Sequence, residues 1–113
     1  MNLHLQSSKS DLQAQIAITG SKSETNRLLL LQALYPNLLL ANTSNSDDSQ
    51  VMQKALKGNE EIVDIHHAGT AMRFLTAYFA VNEGREVVLT GSSRMKERPL
   101  KVLVETLQQL GAK

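Results

Sequence analysis

Nine consecutive residues, Thr19-Gly20-Ser21-Lys22-Ser23-Glu24-Thr25-Asn26-Arg27, bring two cations and several hydroxyl groups together directly after a glycine. The chemistry such a set can do is to hold a small anion. Ser21 and Glu24 stand at capping-box spacing, so a helix is expected to begin at Ser21 or, alternatively, at Ser23. The first backbone N–H groups of that helix lack intrahelical partners and carry the positive end of its dipole, and Lys22 and Arg27 add full charges beside them. Ser23 and Arg27, four residues apart, share one helix face, so hydroxyl and guanidinium can grip the same group. Lys22, just outside the helix, is a flexible point charge suited to an anion whose charge changes during a reaction.

The elements that must position these residues follow from periodicity. Ala14, Ile16 and Ile18 alternate with polar neighbours and predict a strand ending at Thr19, and Leu3 and Leu5 predict a shorter one before a turn or hinge over 6–11. Leu28-Leu29-Leu30-Leu31 continues the helix to about residue 34, where Tyr35-Pro36 stops it. A short apolar strand is expected over 38–41. Ser46, Asp47 or Asp48 caps a helix that ends at Gly58. Ile62, Val63 and Ile65 predict a strand, residues 70–82 a helix after the turn Ala68-Gly69-Thr70, residues 86–90 a strand, and Pro99 the opening of a last helix through Leu110. Residues 28–34 and 71–81 are apolar nearly all round, which predicts helices inside and half-wet strands outside.

An internal repeat runs through this pattern. Thr19-Gly20-Ser21 recurs as Thr90-Gly91-Ser92, and at the same offset Arg27 recurs as Arg98, Ile16 as Val87 and Ile18 as Leu89. The chain reads as one strand-and-helix unit plus the opening of a second, hence as a fragment of a longer repeated protein. Of twelve Lys and Arg, Lys22, Arg27, Arg73, Arg94, Lys96 and Arg98 lie at or just after three predicted helix starts. Cations there are costly unless something negative binds.

Composition excludes several alternatives. The 113 residues are 42% hydrophobic and 20% charged, enough for one core and too few for two comfortable ones. A formal net charge of +1 and 4% aromatic residues argue against a nucleic-acid partner. The absence of cysteine removes disulfides, thiolate catalysis and cysteine-based metal sites. No run approaches a membrane span, and Met1-Asn2-Leu3-His4-Leu5 carries no charged leader region, so a soluble cytoplasmic protein is expected, with no membrane partner. A phosphate-binding P-loop fails on spacing: Gly20 is followed by Ser21, and Gln15 stands at the earlier glycine position. His66 and His67, adjacent at a strand end, are expected to point to opposite faces, so no metal site is assigned. Asp47 and Asp48 read as helix-capping residues rather than a catalytic pair.

Gly20-Ser21-Lys22-Ser23-Glu24-Thr25-Asn26-Arg27, then Ala68-Gly69-Thr70-Ala71-Met72-Arg73, then Arg94-Met95-Lys96-Glu97-Arg98-Pro99-Leu100 together resemble the amino-terminal part of the 3-phosphoshikimate 1-carboxyvinyltransferase (EPSP synthase) family. The resemblance implies an α/β fold, part of an inside-out α/β barrel of repeated βαβαββ units with helices inside and sheets outside. It places residues 1–19 partly in the other domain of a longer enzyme and residues 20–113 in the first part of one domain. It implies a transferase of the shikimate pathway to chorismate and aromatic amino acids. That enzyme moves the enolpyruvyl group of phosphoenolpyruvate to the 5-hydroxyl of shikimate 3-phosphate, as a cytoplasmic monomer without cofactor. By motif, Lys22 would contact both substrates and take part in catalysis, Ser23 and Arg27 would hold shikimate 3-phosphate, and Gly69 and Arg94 would bind phosphoenolpyruvate in a pocket shaped by Thr70 and Arg73. Two positions depart from the family pattern: His67 stands where Asn is usual, and Phe74 where many members have Pro. The acid/base carboxylates lie in later parts of such enzymes, so the fragment alone is expected to be inactive. UDP-N-acetylglucosamine enolpyruvyl transferase, of related architecture, and a non-catalytic anion-binding module are the alternative readings.

Overall fold

In the computed structural model, which describes residues 1–8, 11 and 13–113, five helices and a two-stranded sheet follow one another: α1 (Lys22–Leu34), α2 (Asp47–Lys57), β1 (Ile62–Asp64), α3 (Gly69–Ala80), β2 (Val88–Thr90), α4 (Ser93–Lys96) and α5 (Lys101–Gln109). The architecture is α/β. β1 and β2 pair in parallel with Val63 opposite Leu89, and α3 makes the connection between them. A parallel pair needs such a crossover because the chain must return to the same end of the sheet.

The helix starts expected from the serines form as read. Ser21 caps α1, its hydroxyl accepting the Glu24 N–H at 3.4 Å, and Ser46 caps α2 by accepting from Ser49. Lys22 is thus the first helical residue of α1, not a residue outside it. The repeat is physical: Ser92 caps α4 as Ser21 caps α1, its hydroxyl accepting the Met95 N–H at 3.3 Å. Each repeat glycine also lies against a carbonyl of a residue with positive φ. Gly20 abuts the carbonyl of Asn42 (φ 51°), and Gly91 that of His66 (φ 49°), where an added Cβ would sit 2.9 Å from the oxygen. Replacing Ser21 with Ala should cost about 1 kcal/mol in urea unfolding, the usual loss for a helix cap.

The core is built around α3, whose Ala71, Met72, Leu75 and Phe79 are buried with Leu29 of α1, Met52 and Ala55 of α2, Val63 and Ile65 of the β1 segment, and Met95. α3 is inside, as its composition predicts. α1 is not: only Thr25, Asn26 and Leu29 are buried, while Leu31 and Leu34 are 43% and 54% exposed. An all-round apolar helix buries fully only when every side has a neighbour, and among the described residues α1 packs chiefly against α2 and α3. Between α1 and α2, Ser49 Oγ donates to Oδ1 of the fully buried Asn26 at 2.8 Å, and the Ser44 N–H donates to Thr25 Oγ1 at 2.9 Å.

Three predicted strands do not form. Residues 3–5, 14–19 and 38–41 take no strand structure, and Leu3, Leu5, Ile16, Ile18 and Leu39 are all exposed. Alternation prepares a segment for a sheet, but the ladder requires a second strand in register, and the described residues supply a partner only to β1 and β2. The hinge expected over 6–11 falls partly on Lys9 and Ser10, outside the described residues. α4 was not anticipated, and the last helix begins at Lys101 after Leu100 rather than at Pro99. No helix among the described residues is long and apolar enough to cross a membrane.

Candidate functional site

The residues singled out by type meet around the first turn of α3. α3 begins with a deficit: the residue before it, Ala68, has no side chain able to cap, so the early N–H groups need acceptors from elsewhere. Asp48, in the first turn of α2, supplies one in trans, its Oδ1 accepting the Thr70 N–H at 3.2 Å. The other carboxylate oxygen lies 4.0 Å from Lys22 Nζ at the start of α1. One side chain, 15% exposed, therefore ties together the starts of α1, α2 and α3. Asp48 does more than the sequence suggested: Ser46 is the α2 cap, and the aspartate serves another helix.

Ser23 and Arg27 adopt the paired arrangement their spacing predicts. Arg27 Nη1 donates to both the carbonyl and the hydroxyl of Ser23 at 2.7 Å. The guanidinium carbon also lies 5.6 Å from the centre of the Phe74 ring, a cation–π contact that joins α1 to α3. Arg73 folds back over its own helix, Nη1 donating to the Gly69 carbonyl at 3.2 Å.

On the far side of the same turn, Gly69 faces Arg98. A Cβ at Gly69 would strike the Arg98 guanidinium and approach Met95 Cε to 3.7 Å. Here His67, Ser92, Arg94, Met95 and Arg98 line a cleft of about 210 Å³. His67 Nδ1 is 3.1 Å from Ser92 Oγ, whereas His66 turns to Asp64, 3.6 Å away, so the two histidines have different partners. Among the described residues no group of three His, Cys, Asp or Glu side chains could hold a metal ion.

Lys22, Thr70 and Gly69 are thus linked through Asp48 and the α3 turn, Ser23 and Arg27 through Phe74, and Arg94 through the His67 cleft. Sequence reasoning missed Asp48 as a link and Arg98 as a lining residue. The repeat offset that pairs Arg98 with Arg27 was the available signal for the second; nothing in the sequence marks the first. Asp48→Asn retains an acceptor for Thr70 and should cost under about 1 kcal/mol, since the ion pair it loses is long, at 4.0 Å, and its lysine is half exposed. Asp48→Ala removes the acceptor as well and should cost about 1–2 kcal/mol more, measured by thermal melting.

Fold and site together define an α/β protein that gathers hydroxyls and guanidiniums near its helix starts. The model of the EPSP synthase (3-phosphoshikimate 1-carboxyvinyltransferase) family matches residues 40–113, and the chain belongs to that family. It is similar to the 3-phosphoshikimate 1-carboxyvinyltransferase of Bacteroides fragilis strain YCH46, with 46% identity over 110 residues covering 96% of this chain and 27% of the relative. It is also similar to those of Buchnera aphidicola subsp. Baizongia pistaciae (39% identity, 86% of this chain, 29% of the relative) and Proteus mirabilis (38%, 90% and 30%). The chain therefore spans less than a third of the length of these relatives. No solved structure matches it.

Proposed function

We propose that the chain is the amino-terminal part of an enzyme transferring the enolpyruvyl group of phosphoenolpyruvate to the 5-hydroxyl of shikimate 3-phosphate, with loss of phosphate. In this reading Ser23 and Arg27 hold shikimate 3-phosphate. Gly69 admits phosphoenolpyruvate to the backbone of its turn, Arg94 binds its phosphate, and Lys22 contacts both substrates and serves catalysis. Thr70 and Arg73 shape the pocket. The observation that carries the reading is the linkage at Asp48, which joins the start of α1, bearing Lys22, Ser23 and Arg27, to the α3 turn bearing Gly69 and Thr70.

The chemistry suits such a site. Both substrates carry a phosphate and a carboxylate, and addition of the hydroxyl oxygen to the phosphate-bearing enol carbon of phosphoenolpyruvate, followed by loss of that phosphate, shifts charge among them. Cations already in place stabilise that shift without reorganising. The unpaired apolar segments at 14–19 and 38–41 and the exposed leucines of α1 support the finer architecture, an inside-out barrel of repeated units in which the rest of the enzyme covers them. Residues 1–19 then belong partly to a second domain and residues 20–113 to the first, and the cysteine-free composition suits a cytoplasmic enzyme.

Titration of the chain with shikimate 3-phosphate, followed by the backbone amide signals, tests this. Perturbation of both 20–27 and 69–73 by the one ligand is expected; no perturbation, or one confined to a single segment, contradicts it. The acid/base groups of the reaction are assigned to the remainder of the enzyme, so the purified chain should not turn over the two substrates.

A further inference from the structure

The cleft beside Gly69 has a composition that the proposed reading does not use in full. Arg94 and Arg98 both line it, and neither has a carboxylate within ion-pair distance among the described residues. His67 completes the wall. Its Nδ1 is engaged with Ser92 Oγ, and that oxygen also accepts the Met95 N–H. The arrangement serves the protonated ring well. A hydroxyl oxygen has two lone pairs, so Ser92 can accept from Met95 and from Nδ1–H together, leaving Nε2–H to donate to another acceptor. In the neutral ring the Ser92 hydroxyl can accept from Nδ1–H or donate to Nδ1, so Nε2 presents a lone pair in one tautomer and an N–H in the other, and only the imidazolium adds a positive charge to the cleft.

We propose that His67 makes this cleft a proton-coupled anion site, in which the imidazolium, oriented by Ser92, joins Arg94 and Arg98 around a doubly charged phosphate ester. The proposal rests on the reading that the cleft takes the phosphate of a substrate, and adds that its affinity rises as pH falls. The other charged groups on the surrounding elements do not supply this response. Asp64, on β1, is held by His66 and its N–H; Asp48, on α2, by Lys22 and the Thr70 N–H; Glu97, beside Arg98 in sequence, is exposed and is not a lining residue. Arg94 and Arg98 stay charged at all relevant pH. His66 faces Asp64, outside the cleft.

Sulfate is the probe, because it remains a dianion throughout the range and leaves only the protein to titrate. Its affinity for the 113-residue chain should rise about fivefold between about pH 8 and about pH 5.5 at low ionic strength, read from the amide signals of 67–73 and 92–98. In His67→Asn the affinity should differ little between the two pH values, while His66→Asn keeps both the affinity and its rise. In the unmodified chain, sulfate should raise the pH at which the His67 ring signals titrate, a reciprocal effect that needs no variant. A rise equally steep in His67→Asn, or ring signals indifferent to sulfate, overturns the inference while leaving an Arg94-dependent anion site intact. Sulfate binding that survives Arg94→Gln undiminished at both pH values overturns the site reading and the inference together.

Discussion

Replacing Gly20 with alanine should destabilise the chain by about 2–3 kcal/mol in urea unfolding and blur the amide signals of 20–27, although the substitution adds a single methyl group. The new Cβ would fall on the backbone carbonyl of Asn42, which cannot rotate away as a side chain end can. Either the start of α1 or the lead-in to α2 must move. The first carries Ser21, Lys22 and Ser23; the second holds the Ser44 N–H to Thr25 and leads to Asp48. Gly69→Ala is the informative contrast. Its Cβ meets the end of the Arg98 side chain, which can swing aside, so the fold should survive with little loss while the cleft loses a guanidinium from its wall. A Gly20→Ala chain as stable as the parent would contradict the close approach of these two backbone segments.

Leu75→Ala should cost about 3 kcal/mol, and the transition should broaden as well as shift. Leu75 is 0% exposed at the centre of α3, a helix that contacts α1, α2 and α5. Removing it leaves a cavity that these neighbours can close only by moving toward α3, and the α3 turn with Gly69 and Thr70 would move with them. The effect on anion binding should therefore accompany the loss of stability even though Leu75 lies outside the site. Val102→Ala in α5, where the valine is 78% exposed, should change stability by less than about 0.5 kcal/mol.

The parts of the fold legible in the sequence were those specified by neighbours in the chain. Ser21, Ser46 and Gly58 delimit helices because a cap satisfies N–H or C=O groups within a turn of itself, and the recurrence of Gly-Ser at 91–92 carries a further cap whose helix, α4, the periodicity does not show. The Ser23–Arg27 pair was legible for the same reason, as helical spacing alone brings the two together. The failures share a cause too. Ile16, Ile18 and Leu39 carry a strand's pattern, yet a strand exists only through its partner, and none is present for them among the described residues. The leucines after Arg27 predict a fully buried helix because composition reports what a helix could bury and not how many surfaces are available to cover it.

What the sequence determined by itself, then, was the local chemistry: a glycine turn, a capped helix start, and a hydroxyl and guanidinium on one face, with a second copy of the turn at Gly91. Tertiary structure decided which of these meet. Asp48 reaches the Thr70 N–H across 22 positions of chain because Ala68 cannot cap its own helix, and His67 reaches Ser92 across 25 because the parallel pairing of β1 and β2 sets their ends side by side. Spacing along a helix constrains partners within about a turn; contacts between elements depend on packing that no local pattern encodes.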